Sequence, residues 1–238
     1  MRVVMELSKA AALVTGGTSG IGLETARQLR ARGAQVAICG RDATKLKEAA
    51  DSIGALGIHA DVANEGDVVA MVRQVIDAFG NYDILINNAG FGLFAPLVEM
   101  DLATMQRVFA TNVFGAMMVA RESAKHFIAQ SRGNIINIAS TAGQRGFANG
   151  TAYSASKFAL TSMTECWRAE LRKHNIRVMQ INPSEVQTDF VAASGRPLRE
   201  FSERKLVSGD IAQMIVAMLE MPDRAFIPET AVWATNPD

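Results

Sequence analysis

The sequence predicts an α/β fold, a doubly wound sheet of seven parallel strands in a single domain spanning residues 1–238. Three features carry the prediction. Short apolar runs rich in β-branched residues alternate along the whole chain with segments of helical periodicity. Within those runs the apolar residues are nearly continuous, as in strands covered on both faces. A glycine cluster separates the first run from the first helical segment. Strand–helix alternation of this kind implies parallel pairing with right-handed crossovers.

In chain order, the first strand is 11–15, and helix 20–32 follows the glycines. The second strand, 35–39, leads to Gly40 and Arg41. Asp42 is placed to begin helix 43–54 and to face away from the sheet end, since carboxylates favour helix N-termini. A weaker run at 58–62 precedes helix 65–79, and the next strand is 83–87. The long helical segment 101–129 carries an apolar stripe of Met105, Val108, Phe109, Val113 and Ala116. Asn112 stands in the same row, where an amide must be hydrogen-bonded to offset its burial. Strand 134–140 ends in Ser140, and helix 152–174 and strand 177–182 follow. The stretch 190–207, with Gly195, Arg196, Pro197 and several charges, breaks the rhythm. It suits a substrate lid, with a solvated surface excursion as the alternative. Helix 208–220 and strand 231–235 complete the chain.

Composition narrows the partners. With 49% apolar residues the chain can bury a sizeable core, and a formal net charge of zero gives no footprint for nucleic acid or an anionic membrane. No apolar run approaches the length of a membrane span. The first nine residues, with Arg2, Glu6 and Lys9, lack the layout of a signal peptide, so a cytoplasmic protein is expected. Cys39 and Cys166 are expected to be two buried free thiols, and no metal site is expected.

The first strand runs into Gly16, Gly17, Thr18, Ser19, Gly20, Ile21 and Gly22. Glycines between a strand and a helix allow a tight turn and let backbone amides approach a pyrophosphate at the helix N-terminus. Tyr153 and Lys157, four residues apart, share a helix face. A phenol titrates near 10, and an ammonium about 4 Å away would stabilise its phenolate, making the tyrosine a usable acid–base. Ser140 stands at the carboxyl end of a strand, where open α/β sheets bind ligands, although serine at such a junction is commonly a cap.

Taken together, TGGTSGIG at 15–22, NNAG at 87–90, Asn112, Ser140 and YSASK at 153–157 resemble the short-chain dehydrogenase/reductase family, in its compact single-domain branch with a Rossmann-type fold. The resemblance extends over essentially the whole chain. It implies hydride transfer from a nicotinamide to a ketone or aldehyde, with a 3-oxoacyl thioester as a further candidate. Tyr153 would then protonate the alkoxide and Ser140 would stabilise it. Lys157 would hold the nicotinamide ribose and lower the Tyr153 pKa, and Asn112 would position a relay water. Asp61 and Val62 would border the adenine, Asn88, Ala89 and Gly90 would line the cleft, and Val186 and Thr188 would meet the nicotinamide. Gly40 stands where NAD-using relatives carry aspartate, and Arg41 follows it. NADPH is therefore the expected cofactor, through arginine on the 2′-phosphate, with NADH less favoured.

The same resemblance implies a homotetramer or homodimer built on 101–129 and 152–174, to which Met117, Met118, Phe127, Met163 and Trp167 lend apolar side chains. Two departures stand out. Ser184 follows Pro183 where relatives have glycine, and the C-terminus lacks the Gly-Gly ending of many 3-oxoacyl-carrier-protein reductases. Two other readings compete. One is a catalytically silent nicotinamide sensor, and the other is a reductase subunit that docks an acyl carrier protein through Arg168, Arg172 and Lys173.

Overall fold

The structure, a computed structural model, describes residues 5–188, 190 and 200–236. Its strands are β1 (Ala11–Thr15), β2 (Gln35–Gly40), β3 (Leu56–His59), β4 (Ile84–Asn87), β5 (Gly133–Ile138), β6 (Ile176–Pro183), β7 (Val186–Gln187), β8 (Leu206–Val207) and β9 (Glu229–Val232). The helices are α1 (Gly20–Ala31), α2 (Ala43–Ile53), α3 (Glu65–Phe79), α4 (Leu102–Phe109), α5 (Ala116–Ala129), α6 (Thr151–Leu171) and α7 (Ser208–Leu219).

Seven strands form one sheet in the order β3-β2-β1-β4-β5-β6-β9, every pair parallel. This is the predicted architecture. β7 and β8 pair separately in a two-stranded parallel patch beside it. The order reverses between β1 and β4, and that switch opens a crevice at the carboxyl ends of the strands.

Alternate residues of each buried strand point to opposite faces. Ala12 and Val14 of β1 join Ile84, Ile86, Ile136, Ile138 and Ile181 in a core under α1 and α7. Leu13, Leu85, Ile135 and Val178 point the other way, into a core closed by α3, α5 and α6. Both sides being apolar explains why these strands read as continuous apolar runs.

The differences from expectation have local causes. The weak run at 58–62 forms its strand earlier, as Leu56–His59, because Asp61 leaves the sheet and its N–H donates to Asp67 Oδ2 at 2.9 Å. The last strand, expected at 231–235, is Glu229–Val232, in register with β6 from Gln180↔Glu229 to Pro183↔Val232. Segment 101–129 is not one helix: a π-helical turn (Ala110–Gly115) separates α4 from α5. Ser140 lies beyond β5 and caps the 3₁₀ turn Thr141–Gly143. Helix 152–174 ends in a 3₁₀ turn closed by Asn175 at φ 58°.

Cys39 is a buried free thiol, but Cys166 is exposed, contrary to expectation. Ser162, Glu165, Ala169 and Glu170 share its outer face of α6, so a small apolar residue there is no sign of burial. Of the residues offered for subunit contact, Met118 and Phe127 are core, and Met117 and Trp167 pack against that core. The exposed large apolar residues on these elements are Leu102, Phe114, Ile128 and Phe158. Residues 191–199 of the expected lid lie outside the described residues. Its last part, Leu206–Val207, is anchored as β8 against β7.

Phe127 is fully buried, and its ring meets that of Tyr82 at a tilt, with centres 4.8 Å apart. Phe127→Ala is expected to lower unfolding stability by about 3–5 kcal/mol, and by the same amount at any protein concentration. Urea titrations at two concentrations check this, since a contact residue would show a concentration-dependent loss.

Candidate active site

The site begins at the junction of β1 and β4. Thr15 Oγ1 accepts the main-chain N–H groups of Asn88 and Ala89, each at 3.0 Å. The Asn88 amide donates back to the carbonyls of Thr15 at 2.9 Å and Gly16 at 3.1 Å. These four bonds fasten the glycine turn to the loop after β4. Gly16 has φ 62°, and a Cβ there would stand 2.9 Å from Ala89 Cα. Gly22 is packed behind the turn, where a Cβ would meet the Gly16 carbonyl oxygen at 2.4 Å. The turn therefore presents the bare N-terminus of α1, with no side chain of Ser19 capping it. Unfilled amides at a helix N-terminus suit an anion such as a pyrophosphate.

A cleft of about 1360 Å³ runs from this turn across the carboxyl end of the sheet. It is lined by Gly16, Thr18, Ser19, Gly20, Ile21, Arg41, Asp61, Val62, Asn88, Ala89, Gly90, Ser140, Tyr153, Lys157, Val186 and Thr188, all expected from the sequence. Two expected residues do not line it. Gly22 lies behind the turn, and Asn112, 1% exposed, lies one layer below.

Asn112 stands in the π turn, a device frequent at functional sites. Its Oδ1 accepts the N–H of Phe91 at 3.0 Å, and its Nδ2 donates to the Phe91 carbonyl at 2.8 Å and to Ser156 Oγ at 3.0 Å. Ser156 Oγ in turn donates to the Tyr153 carbonyl at 2.7 Å. Both amide hydrogens are thus committed, so the side chain clamps the loop after β4 to the first turn of α6.

Lys157 is 6% exposed, and its Nζ donates to the Ile138 carbonyl at 2.8 Å. It lies 5.7 Å from the centre of the Tyr153 ring. Burial pushes the ammonium down from its ordinary 10.5 to about 8. Ser140 Oγ accepts the Ala142 N–H at 3.1 Å, so the capping role and a position in the cleft coexist. Ser184 has no left-handed backbone; its N–H donates to the Val232 carbonyl at 2.9 Å, and glycine is not required there.

At the other end of the cleft Arg41 is exposed. Asp42 caps α2, accepting from Thr44 and Lys45 N–H at 3.0 and 3.1 Å, though it still borders the cleft rim. Lys45 borders the cleft too, a second cation that the sequence reading missed. A Cβ on Gly40 would stand 2.5 Å from Thr18 Cγ2, so an aspartate there would displace Thr18. Thr188 lies against Gly20, where a Cβ would meet it at 3.5 Å.

Arg168, one of the three proposed docking cations, donates to the carbonyls of Val178 and Pro228 at 2.9 and 2.7 Å. Helix geometry puts Arg172 roughly 28 Å from Tyr153, at the far end of α6. That basic group is therefore remote from the cleft. Among the described residues no helix is long and apolar enough to cross a membrane.

The sequence profile of the short chain dehydrogenases matches residues 10–198. An uncharacterized oxidoreductase of Staphylococcus epidermidis is 30% identical over 224 residues, 93% of this chain and 95% of that protein. Galactitol 2-dehydrogenase of Agrobacterium fabrum is 39% identical over 185 residues, 76% of this chain and 72% of its own. A metagenomic short-chain oxidoreductase solved in complex with NADP superposes with a TM-score of 0.84 at 32% identity, covering 98% of this chain and all of that one.

Between pH 8 and 10.5 the buried Lys157 is neutral while an unfolded lysine still carries its proton, so the unfolded chain binds more protons. Unfolding free energy should therefore rise with pH across that window and not below it. Relative to Lys157→Met, wild type is expected to gain up to about 3 kcal/mol from pH 8 to 10.5. Urea titrations at a series of pH values read this, and a flat difference would show that the amine is not held in an apolar site.

Proposed function

This chain belongs to the short chain dehydrogenase family of NAD(P)-dependent oxidoreductases, and on that premise we propose that it is an NADPH-dependent carbonyl reductase converting a ketone or aldehyde to an alcohol. The observation that carries the reading is the meeting of Ser140, Tyr153 and buried Lys157 in one cleft whose other end is the glycine turn. A silent sensor would have no use for that trio.

When bound, the reduced nicotinamide supplies the hydride that adds to the carbonyl carbon. The glycine turn and the N-terminus of α1 would hold the pyrophosphate, and Lys157, with N–H groups beyond the one given to Ile138, would hold the ribose. Tyr153 Oη gives its proton to the carbonyl oxygen. The Ser140 hydroxyl hydrogen donates to that same oxygen and supports the negative charge that develops on it, while Ala142 fixes the hydroxyl from behind. Lys157 in its ammonium form stabilises the phenolate left on Tyr153, an attraction strengthened by the dry surroundings. Asn112 acts as a positioning residue, holding the loop at Phe91 and the backbone of Tyr153 through Ser156.

Arg41 and Lys45 support the choice of NADPH. Both border the cleft beside the end of β2, where the adenosine ribose lies in dinucleotide folds. No acidic side chain fits at Gly40 without moving Thr18.

Tyr153→Phe is expected to bind NADPH with near-wild-type affinity while kcat falls by about 10²–10⁴. Fluorescence titration and steady-state assay separate the two quantities, and undiminished turnover would remove Tyr153 from the reaction. Wild type should prefer NADPH to NADH, and Arg41→Ala should reduce that preference by about tenfold or more. The ratio of kcat/KM for the two cofactors at low salt reads it; an unchanged ratio would show that Arg41 does not bind the phosphate.

A further inference from the structure

Four loops bring aromatic rings to the catalytic end of the cleft. Phe94 follows β4, Phe147 precedes α6, Phe190 follows β7, and Trp233 follows β9; all line the cleft. The Phe94 and Phe190 rings flank the Tyr153 ring, with centres 5.7 and 5.3 Å away. Phe147 meets Phe94 at a tilt, with ring centres 5.9 Å apart. The walls are pinned. Ala95 N–H donates to the Asn149 carbonyl at 3.1 Å, joining the Phe94 and Phe147 loops. Gln187, three residues before Phe190, donates to the Ser202 carbonyl at 2.8 Å and accepts its N–H at 2.7 Å. Outer surface remains available: Phe147 is 47% and Trp233 65% exposed.

Among the described residues several polar side chains at this end are committed elsewhere, although Arg145 also lines it. Gln144 donates to Glu229, Glu185 pairs with Lys205 at 3.7 Å, and Thr188 Oγ1 accepts the N–H of Phe190 at 3.3 Å. Among the described residues a polyhydroxylated substrate, which needs several aimed donors and acceptors, would find few uncommitted ones beyond Arg145, Thr141 and Ser184. A flat apolar group would find aromatic faces and edges at contact distance.

We propose that the substrate is an aryl ketone, its carbonyl between Ser140 and Tyr153 and its ring against Phe94, Phe147 and Phe190, which act as specificity-determining residues. The inference rests on the carbonyl-reductase reading above. Each ring contact of this kind corresponds to roughly two- to tenfold in affinity.

The test uses the full chain with NADPH and compares kcat/KM for 1-tetralone and for diacetyl, a small ketone with no ring, and, with NADP⁺, for galactitol. A preference for tetralone over diacetyl of about tenfold or more is expected, with galactitol the poorest. Phe147→Ala, whose half-exposed ring makes it a mild change, should lower the tetralone-to-diacetyl ratio by about two- to tenfold. Phe94→Leu, which keeps most of the volume but removes the ring, should lower it likewise. NADPH binding by fluorescence establishes that each variant is folded. Preference for diacetyl or galactitol, or a ratio that neither variant moves, overturns the substrate class and leaves the reductase reading standing. Failure to reduce any carbonyl overturns both.

Discussion

The hydrogen bonds of Thr15 and Asn88 are the constraint on which the rest of the cleft depends. They join the two strands at which the sheet order reverses, so they set where the glycine turn stands relative to the loop after β4. From that loop the chain of contacts continues. Phe91 is held on both its N–H and its carbonyl by Asn112, Asn112 reaches Ser156, and Ser156 is bonded to the backbone of Tyr153. A single connected series of bonds thus runs from the proposed pyrophosphate end to the proposed proton donor. Its members are buried or half-buried, where an unpaired polar atom is costly, and this gives the series a rigidity that surface bonds lack.

The π turn belongs to this series. One extra residue per turn between α4 and α5 places Asn112 beneath Phe91, and Gly115 lets the turn pack on Val62 at a distance that a Cβ would reduce to 3.0 Å. Val62 itself lines the cleft near Asp61. The irregular stretch of the long helical segment therefore touches both Phe91 and Val62, a geometry that a straight helix would not reach.

Electrostatics around Lys157 are the product of burial. Lys157 is surrounded by protein with one carbonyl for a partner, and desolvation destabilises its ammonium form. Removing it from water reduces stability below pH 8, yet it would make the charge more effective on the proposed phenolate of Tyr153, whose ring centre lies 5.7 Å away, because the intervening medium screens less. The Phe94 and Phe190 rings, with centres 5.7 and 5.3 Å from that of Tyr153, would add to this dry setting.

The sequence by itself determined the parallel α/β architecture, because strands covered on both faces carry nearly continuous apolar runs, as Ala11–Val14, Val36–Cys39 and Ile84–Ile86 do. It also determined the ends of the cleft, since the glycine turn and the Tyr153–Lys157 pair are local patterns with fixed spacing. What pattern could not reach were contacts made between segments far apart in the chain. The π turn reads as ordinary helix because its apolar stripe continues across it. Asn112 was legible as a buried amide needing partners, but its partners, Phe91 and Ser156, are 21 and 44 residues away. Cys166, Met118 and Phe127 show the same limit: helical periodicity names a face, and only tertiary packing decides whether that face meets the core or the solvent. Phe94, Phe147, Phe190 and Trp233 carry no mutual signal in the sequence at all. They line one cleft because the loops after β4, β5, β7 and β9 converge there, and that convergence is a property of topology.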